Sequence, residues 1–253
     1  MPCHHLRALL ALLFVCHQGG SMGEKIEGGH EAKAHSRPYM VYIVIQDPGE
    51  NKSSCDGFLV SDDFVMTAAH CKREKMYVFT GIQNRASLTN EAMIHVDQKH
   101  AHPHYRAESL THAHDIMLLK LRHKAVLNDW VKLLKLPQSV NESLPTTNCL
   151  VPGWGITSFP NGTRPKMLQE VNVTVDSSIQ CGTHKICSQG SKGPLKGDSG
   201  GPIICGDVAY GVVSSYVPTT LTHYYTNISH YHHWIKKTMA INRSSERPTK
   251  RLS

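Results

Sequence analysis

Apolar residues along this 253-residue chain fall into short runs separated by Gly, Pro and Asn. Tyr39–Ile45, Gly57–Val60, Phe64–Ala68, Met76–Thr80 and Ile116–Leu121 fill the first half. Leu150–Trp154, Met167–Val175, Pro202–Cys205, Val208–Ser214 and Tyr224–Ile228 fill the second. Many short, β-type runs at such spacing predict an all-β sandwich or barrel rather than βαβ units. Helical spacing is confined to His233–Ile241, where Trp234, Ile235 and Met239 fall near one face. Residues 122–136 have few turn signals and are expected to connect two β halves. The segment 242–253 is polar, with no core pattern.

The N-terminus breaks this pattern. A basic start, the apolar run Ala8–Cys16 and the small residues that follow predict a secretory signal peptide over about residues 1–20. That run is too short to span a bilayer, and no later run approaches the necessary length. Export explains the cysteines. Cys3 and Cys16 leave with the signal, and Cys55, Cys71, Cys149, Cys181, Cys187 and Cys205 remain. An even number in an oxidising compartment suggests disulfides, with connectivity left open by spacing alone. Sequons begin at Asn51, Asn141, Asn161, Asn172, Asn227 and Asn242, so glycosylation is expected. A formal charge of +7 favours acidic partners.

Three islands carry chemistry: Thr67-Ala68-Ala69-His70-Cys71, His114-Asp115-Ile116-Met117, and Gly197-Asp198-Ser199-Gly200-Gly201-Pro202. Serine is a weak nucleophile that needs a base, usually histidine, and that base needs an orienting carboxylate. Glycines beside a serine permit a tight turn that aims backbone N–H groups at a developing oxyanion. Each island alone is commonplace. Their joint presence on an exported β-rich chain is not.

With these islands the chain resembles the chymotrypsin-fold serine proteases, most closely the granzyme and mast-cell protease branch. The likeness extends to Ile26-Glu27-Gly28-Gly29, Ser36-Arg37-Pro38-Tyr39, Gly153-Trp154-Gly155 and Trp234-Ile235-Lys236-Lys237. It implies two six-stranded antiparallel β-barrels with a C-terminal helix and the active site between them. It further implies a propeptide at 21–25 and a protease domain over 26–253. Ser199 would be the nucleophile, His70 the general base and Asp115 its orienting group, with Gly197 and Ser199 forming the oxyanion hole. Cleavage after Lys25 would free Ile26 to pair with Asp198. Disulfides Cys55–Cys71, Cys149–Cys205 and Cys181–Cys187 follow from the same likeness. No cofactor or metal is implied.

The substrate pocket is read the same way. Gly193, six residues before Ser199, stands at the floor and supplies no carboxylate for Arg or Lys. Ser214, Ser215, Tyr216 and Val217 should form a wall, with one extra serine leaving the register open by one residue. His223 is either a packing residue or a receptor for acidic side chains. The expected preference is apolar, with acidic as the alternative.

Histidines are in excess: His95, His100, His102, His104, His112 and His114 crowd one stretch, and His230, His232 and His233 another. Histidines two apart can chelate zinc, but no Cys or carboxylate is patterned with them, so they read as solvated loop positions and no metal is expected. Their protonation in an acidic granule would add positive charge, and sulfated proteoglycan is a candidate partner on that ground. The whole reading is a secreted or granule-stored serine endopeptidase. Its partners are protein or peptide substrates and protein protease inhibitors, not nucleic acid or a membrane span. The alternative is a catalytically silent cationic homologue that binds microbial or proteoglycan surfaces.

Overall fold

Residues 28–109, 112–140, 142–179, 181–182 and 184–244 are described in the computed structural model; the expected signal and propeptide, Ile26 and the tail beyond 244 lie outside them. The first half folds as β1 (His30–Glu31), β2 (Met40–Gln46), β3 (Ser53–Ser61), β4 (Phe64–Thr67), β5 (Lys75–Thr80), β6 (Met93–Ala101) and β7 (Met117–Leu121). Six of these close into a barrel in the order β2-β3-β4-β7-β6-β5. Its interior is filled by Ile43, Phe58, Phe64, Met66, Val78 and Leu118, all at most 1 % exposed.

Every residue of β7 is buried, including Lys120. Its ammonium is paired there with Asp63, equally buried, 3.1 Å away. β6 was not anticipated from the sequence. Its residues, MIHVDQKHA, are half-buried to exposed along their length and lack the alternation that marks a strand. Pairing with β5 and β7, rather than its own pattern, makes it a strand.

The second half holds β8 (Asn148–Gly153), β9 (Gln169–Thr174), β10 (Lys185–Gln189), β11 (Pro202–Cys205), β12 (Val208–Val217) and β13 (Thr222–Asn227). Here the structure departs from a second six-stranded closed barrel. The sheet has seven strands, ordered β1-β9-β8-β11-β12-β13-β10, because β1 from the first half joins its edge at β9. The seam between β9 and β10 is not a ladder. It is held by one bridge, Val175 with Ser188, and by the Asp176 N–H donating to the Cys187 carbonyl at 3.2 Å. The sheet is therefore a curled half-barrel.

All three disulfides are formed: Cys55–Cys71, Cys149–Cys205 and Cys181–Cys187. The first ties β3 to the 3₁₀ turn 69–71 that carries His70. The second joins β8 to β11, and the third pins the loop entering β10. The C-terminal helix α1 (His232–Ser244) is longer than its apolar spacing indicated. Its Ile235, with Tyr231 and Ile228 just before it, packs into the core of the first barrel beside Leu134. Burying a side chain of that size stabilises by about 1.5–3 kcal/mol, so the helix fastens the second half to the first.

Candidate active site

His70 and Asp115 meet where the two halves face each other, and Ser199 stands beside them, its carbonyl 3.8 Å from Cys71 Sγ, next to His70 in sequence. His70 rides on the turn after β4, and Asp115 precedes β7, so strand pairing between β4 and β7 brings the two together. The His70 Nδ1 lies 2.8 Å from Asp115 Oδ2, and the His70 backbone N–H donates to Asp115 Oδ1 at 2.9 Å. Ser214 Oγ donates to the same Oδ2 at 2.6 Å, and Thr226 Oγ1 donates to the Asp115 carbonyl at 2.8 Å. Asp115 is fully buried. Burial alone would raise its pKa, but the bonds and charge from His70 and the bond from Ser214 outweigh it, holding the carboxyl below its ordinary value. It stays ionised and fixes the imidazole in one orientation.

The structure also resolves the extra serine. The β12–β13 register shifts between Val213 and Ser215, so Ser214 is the bulged residue. The bulge turns its hydroxyl toward Asp115. The sequence had assigned Ser214 to the pocket wall alone; it lines the cavity and also supports the carboxylate.

Ser199 is positioned from behind, its carbonyl accepting the Asp56 N–H at 2.8 Å. Gly197 adopts φ +108°, which only glycine takes readily, and a Cβ there would fall 2.9 Å from the Gly155 Cα. Below this loop lies Asp198, fully buried, its carboxylate accepting the Gly155 N–H at 2.7 Å and the Leu195 N–H at 2.8 Å. Burial pushes its pKa up to about 6, against those two bonds and the nearby positive charge of Arg164.

A second carboxylate shares this pocket, and sequence reasoning missed it. Asp56 is fully buried on β3, one residue from Cys55. Its Oδ2 accepts the Trp154 N–H at 3.0 Å, while its Oδ1 has no partner among the described residues. Burial, and then the charge of Asp198, drive its pKa well above the ordinary carboxylate range. The available signal was a carboxylate set between a bridged cysteine and a glycine inside an apolar run.

Beside Ser199 opens a cavity of about 230 Å³, lined by Phe159, Pro194, Leu195, Lys196 and Tyr216 with residues 213–215. Behind it sits His223, 1 % exposed. Its Nδ1 lies 3.0 Å from the Pro194 carbonyl and its Nε2 3.2 Å from that of Gly190. The Tyr216 ring stacks on it at 4.5 Å. Burial lowers the His223 pKa despite the two carbonyls, so the ring is neutral near pH 7. Gly193 lies against the same ring: at φ +156°, any Cβ would approach His223 Nε2 to 2.6 Å. Val217 is 36 % exposed and does not line the cavity, so Tyr216 is the residue that narrows it.

The remaining residues singled out in the sequence scatter. Asn51, Asn161 and Asn172 are exposed. Asn227 is engaged, its Oδ1 accepting from the Ser229 N–H at 3.1 Å, and Asn242 donates to the Thr238 carbonyl. Asn141 and Ile26 lie outside the described residues. Several histidines expected on solvated loops instead gather: His102, His104 and His114 present ring nitrogens within 4.8 Å of one another.

Comparison with known proteins agrees with this geometry. The profile of the family described as Trypsin matches residues 26–235. Human Granzyme B is 40% identical over 248 residues, covering 91% of this chain and 97% of its own. Mast cell protease 8 of mouse is 40% identical over 245 residues, covering 92% and 97%. A solved structure titled "Structure of GrC" superposes with a TM-score of 0.74 at 38% identity, covering 84% of this chain and 99% of its own. Neuropsin, a serine protease from mouse brain, superposes at 0.73 with 33% identity, covering 83% and 98%. With its family profile, its relatives and its fold in agreement, the chain belongs to the Trypsin family of serine endopeptidases, among the granzymes and mast-cell proteases.

Proposed function

We propose that this chain, stored in granules or secreted and cut after Lys25, is a serine endopeptidase that cleaves after apolar side chains. His70 Nε2 takes the proton from Ser199 Oγ as that oxygen attacks the scissile carbonyl carbon. The carbonyl π-bond opens onto oxygen, and the N–H groups of Gly197 and Ser199 receive the oxyanion. The tetrahedral species collapses, the C–N bond breaks, and His70 passes its proton to the leaving amine. Water, deprotonated by His70, then attacks the acyl-enzyme ester, and Ser199 recovers its proton. The His70–Asp115–Ser214 hydrogen-bond chain supports this reading. Before processing, the buried Asp198 has no ammonium to meet; the new amino group of Ile26 would pair with it and order the oxyanion loop.

The observation that carries the specificity is the environment of His223. Both of its ring nitrogens face backbone carbonyls, so even a protonated ring has no N–H left for an acidic side chain. Gly193 brings no carboxylate to the floor, so a Lys or Arg would be buried unpaired. The Tyr216 and Phe159 rings, 5.9 Å apart at the cavity, favour apolar contact. Cleavage of a peptide library by the processed enzyme tests this. Apolar residues before the cut support it, and a profile dominated by Arg, Lys, Asp or Glu overturns it. Binding to sulfated proteoglycan would draw on Lys236 and Lys237 of α1 beside the histidines His230, His232 and His233.

A further inference from the structure

The histidines that the proteolytic reading does not use form a nest beside the catalytic loop. His102 and His104 flank Pro103 directly after β6, and His114 immediately precedes Asp115. The His102 and His114 rings stack at 5.0 Å, and His104 meets both edge-on at 5.3 and 5.5 Å. Trp234 and Tyr231 wall the nest, their rings 5.2 and 5.0 Å from His102. On the far side of His114 stands His184, at 5.1 Å, followed by His230, 4.0 Å from His184. His184 Nδ1 is buried and has no partner among the described residues.

Such a gathering is unfavourable as cations and useful as ligands. The His102 pKa falls to about 4, first through burial and then through repulsion from His114, His104, His230 and His184. Those of His114 and His230 fall for the same two reasons. Tyr231 is the other titratable neighbour of the nest, its phenol raised by burial. The Tyr231 hydroxyl lies 3.1 Å from His114 Nδ1, which fixes that ring and leaves its other nitrogen free.

We propose that His102, His104 and His114 form a zinc site whose occupation represses proteolysis. Three imidazoles are a donor set of zinc type, with the fourth tetrahedral position left to water or His184. Zn–N bonds of about 2.0–2.1 Å require ligand nitrogens roughly 3.3 Å apart. The observed spread of up to 4.8 Å is closed by a side-chain rotation of the exposed His104. A dication on His114 places positive charge one residue from Asp115. It opposes the imidazolium that His70 becomes during acyl transfer, so kcat falls more than KM rises. This second part rests on the proteolytic reading; the binding part does not.

The experiment separates them. Zinc chloride is titrated calorimetrically into processed protein carrying Ser199→Ala, where turnover plays no role. One site per chain in the micromolar range or tighter is expected. His104→Ala and His102→Gln should each weaken it by about tenfold or more, and His233→Gln, outside the nest, should leave it unchanged. No saturable binding, or equal binding by the His104→Ala and His102→Gln proteins, overturns the site. In the active enzyme, zinc should lower kcat, a chelator should restore it, and His104→Ala should remove the response. Binding without inhibition overturns the coupling to Asp115.

Discussion

Two residues at the site make the sharpest demands on their neighbours. Gly193 is held at φ +156° against His223, so Gly193→Ala adds both backbone strain and a 2.6 Å contact. The pocket wall must shift, and kcat/KM on apolar substrates should fall by at least about tenfold, equivalent to ~1.4 kcal/mol, in steady-state kinetics. Asp56 makes the opposite case, since it destabilises the fold it belongs to. Asp56 and Asp198 both have raised pKa values in the folded chain. Their stabilising contribution is present below the unfolded carboxylate pKa of about 4 and is lost as pH rises through the folded values, about 6 for Asp198. Asp56→Asn keeps an acceptor for the Trp154 N–H and removes one charge. It should raise stability by about 1–3 kcal/mol near pH 7 and change it little near pH 4, as read by denaturant unfolding. An equal effect at both pH values would mean that the charge is not the cause. The His70–Asp115 pair and the candidate nucleophile Ser199 were legible in the sequence because their chemistry is written in contiguous motifs. Asp56 and the Ser214 bond to Asp115 were not, because each depends on a partner more than 90 residues away.

At the level of elements, pattern and pairing divide the work. Pro202–Cys205 is the strand its sequence indicates, since four apolar residues buried on both faces leave little alternative. β6 and β10 escaped because neither carries a period of two: β6 is half-buried to exposed throughout, and β10 is five residues with three consecutive buried positions. The half-open second sheet was equally hidden. The transfer of β1 onto β9 joins residues about 140 positions apart, and no local pattern encodes it. The disulfides differ in what they restrain. Cys149–Cys205 closes a separation of 56 residues and Cys181–Cys187 one of only 6. Chain entropy then predicts that replacing the first pair with serines costs about 4 kcal/mol and the second about 2 kcal/mol. Calorimetric melting of the two double variants checks the order, and a larger loss from the short loop would contradict it.

The whole molecule carries a charge of +7, which invites polyanions. The structure narrows the set of histidines that could switch such binding. His100, His102, His114, His223, His230 and His232 all have lowered pKa values, led in each case by burial, so each gains less positive charge on acidification than a free imidazole would. Heparin elution at about pH 5.5 and 7.4 measures what the remaining histidines contribute: a higher elution salt at the lower pH is the expected result, and equal salt at both would remove histidine from the binding. The histidine nest was invisible in sequence, because the segments after β6, before β7 and before β10 and the start of α1 converge only in the fold. The central claim concerns the molecule as a unit: cleavage after Lys25 converts it into a working serine endopeptidase. Covalent labelling by an organophosphorus serine-hydrolase probe tests this most directly, comparing the full chain, the chain beginning at Ile26, and the latter with Ser199→Ala. Near-stoichiometric labelling of the second alone is the predicted result. A processed chain that stays unlabelled beside a reactive control protease, or a Ser199→Ala protein that labels as well as its parent, would contradict the account.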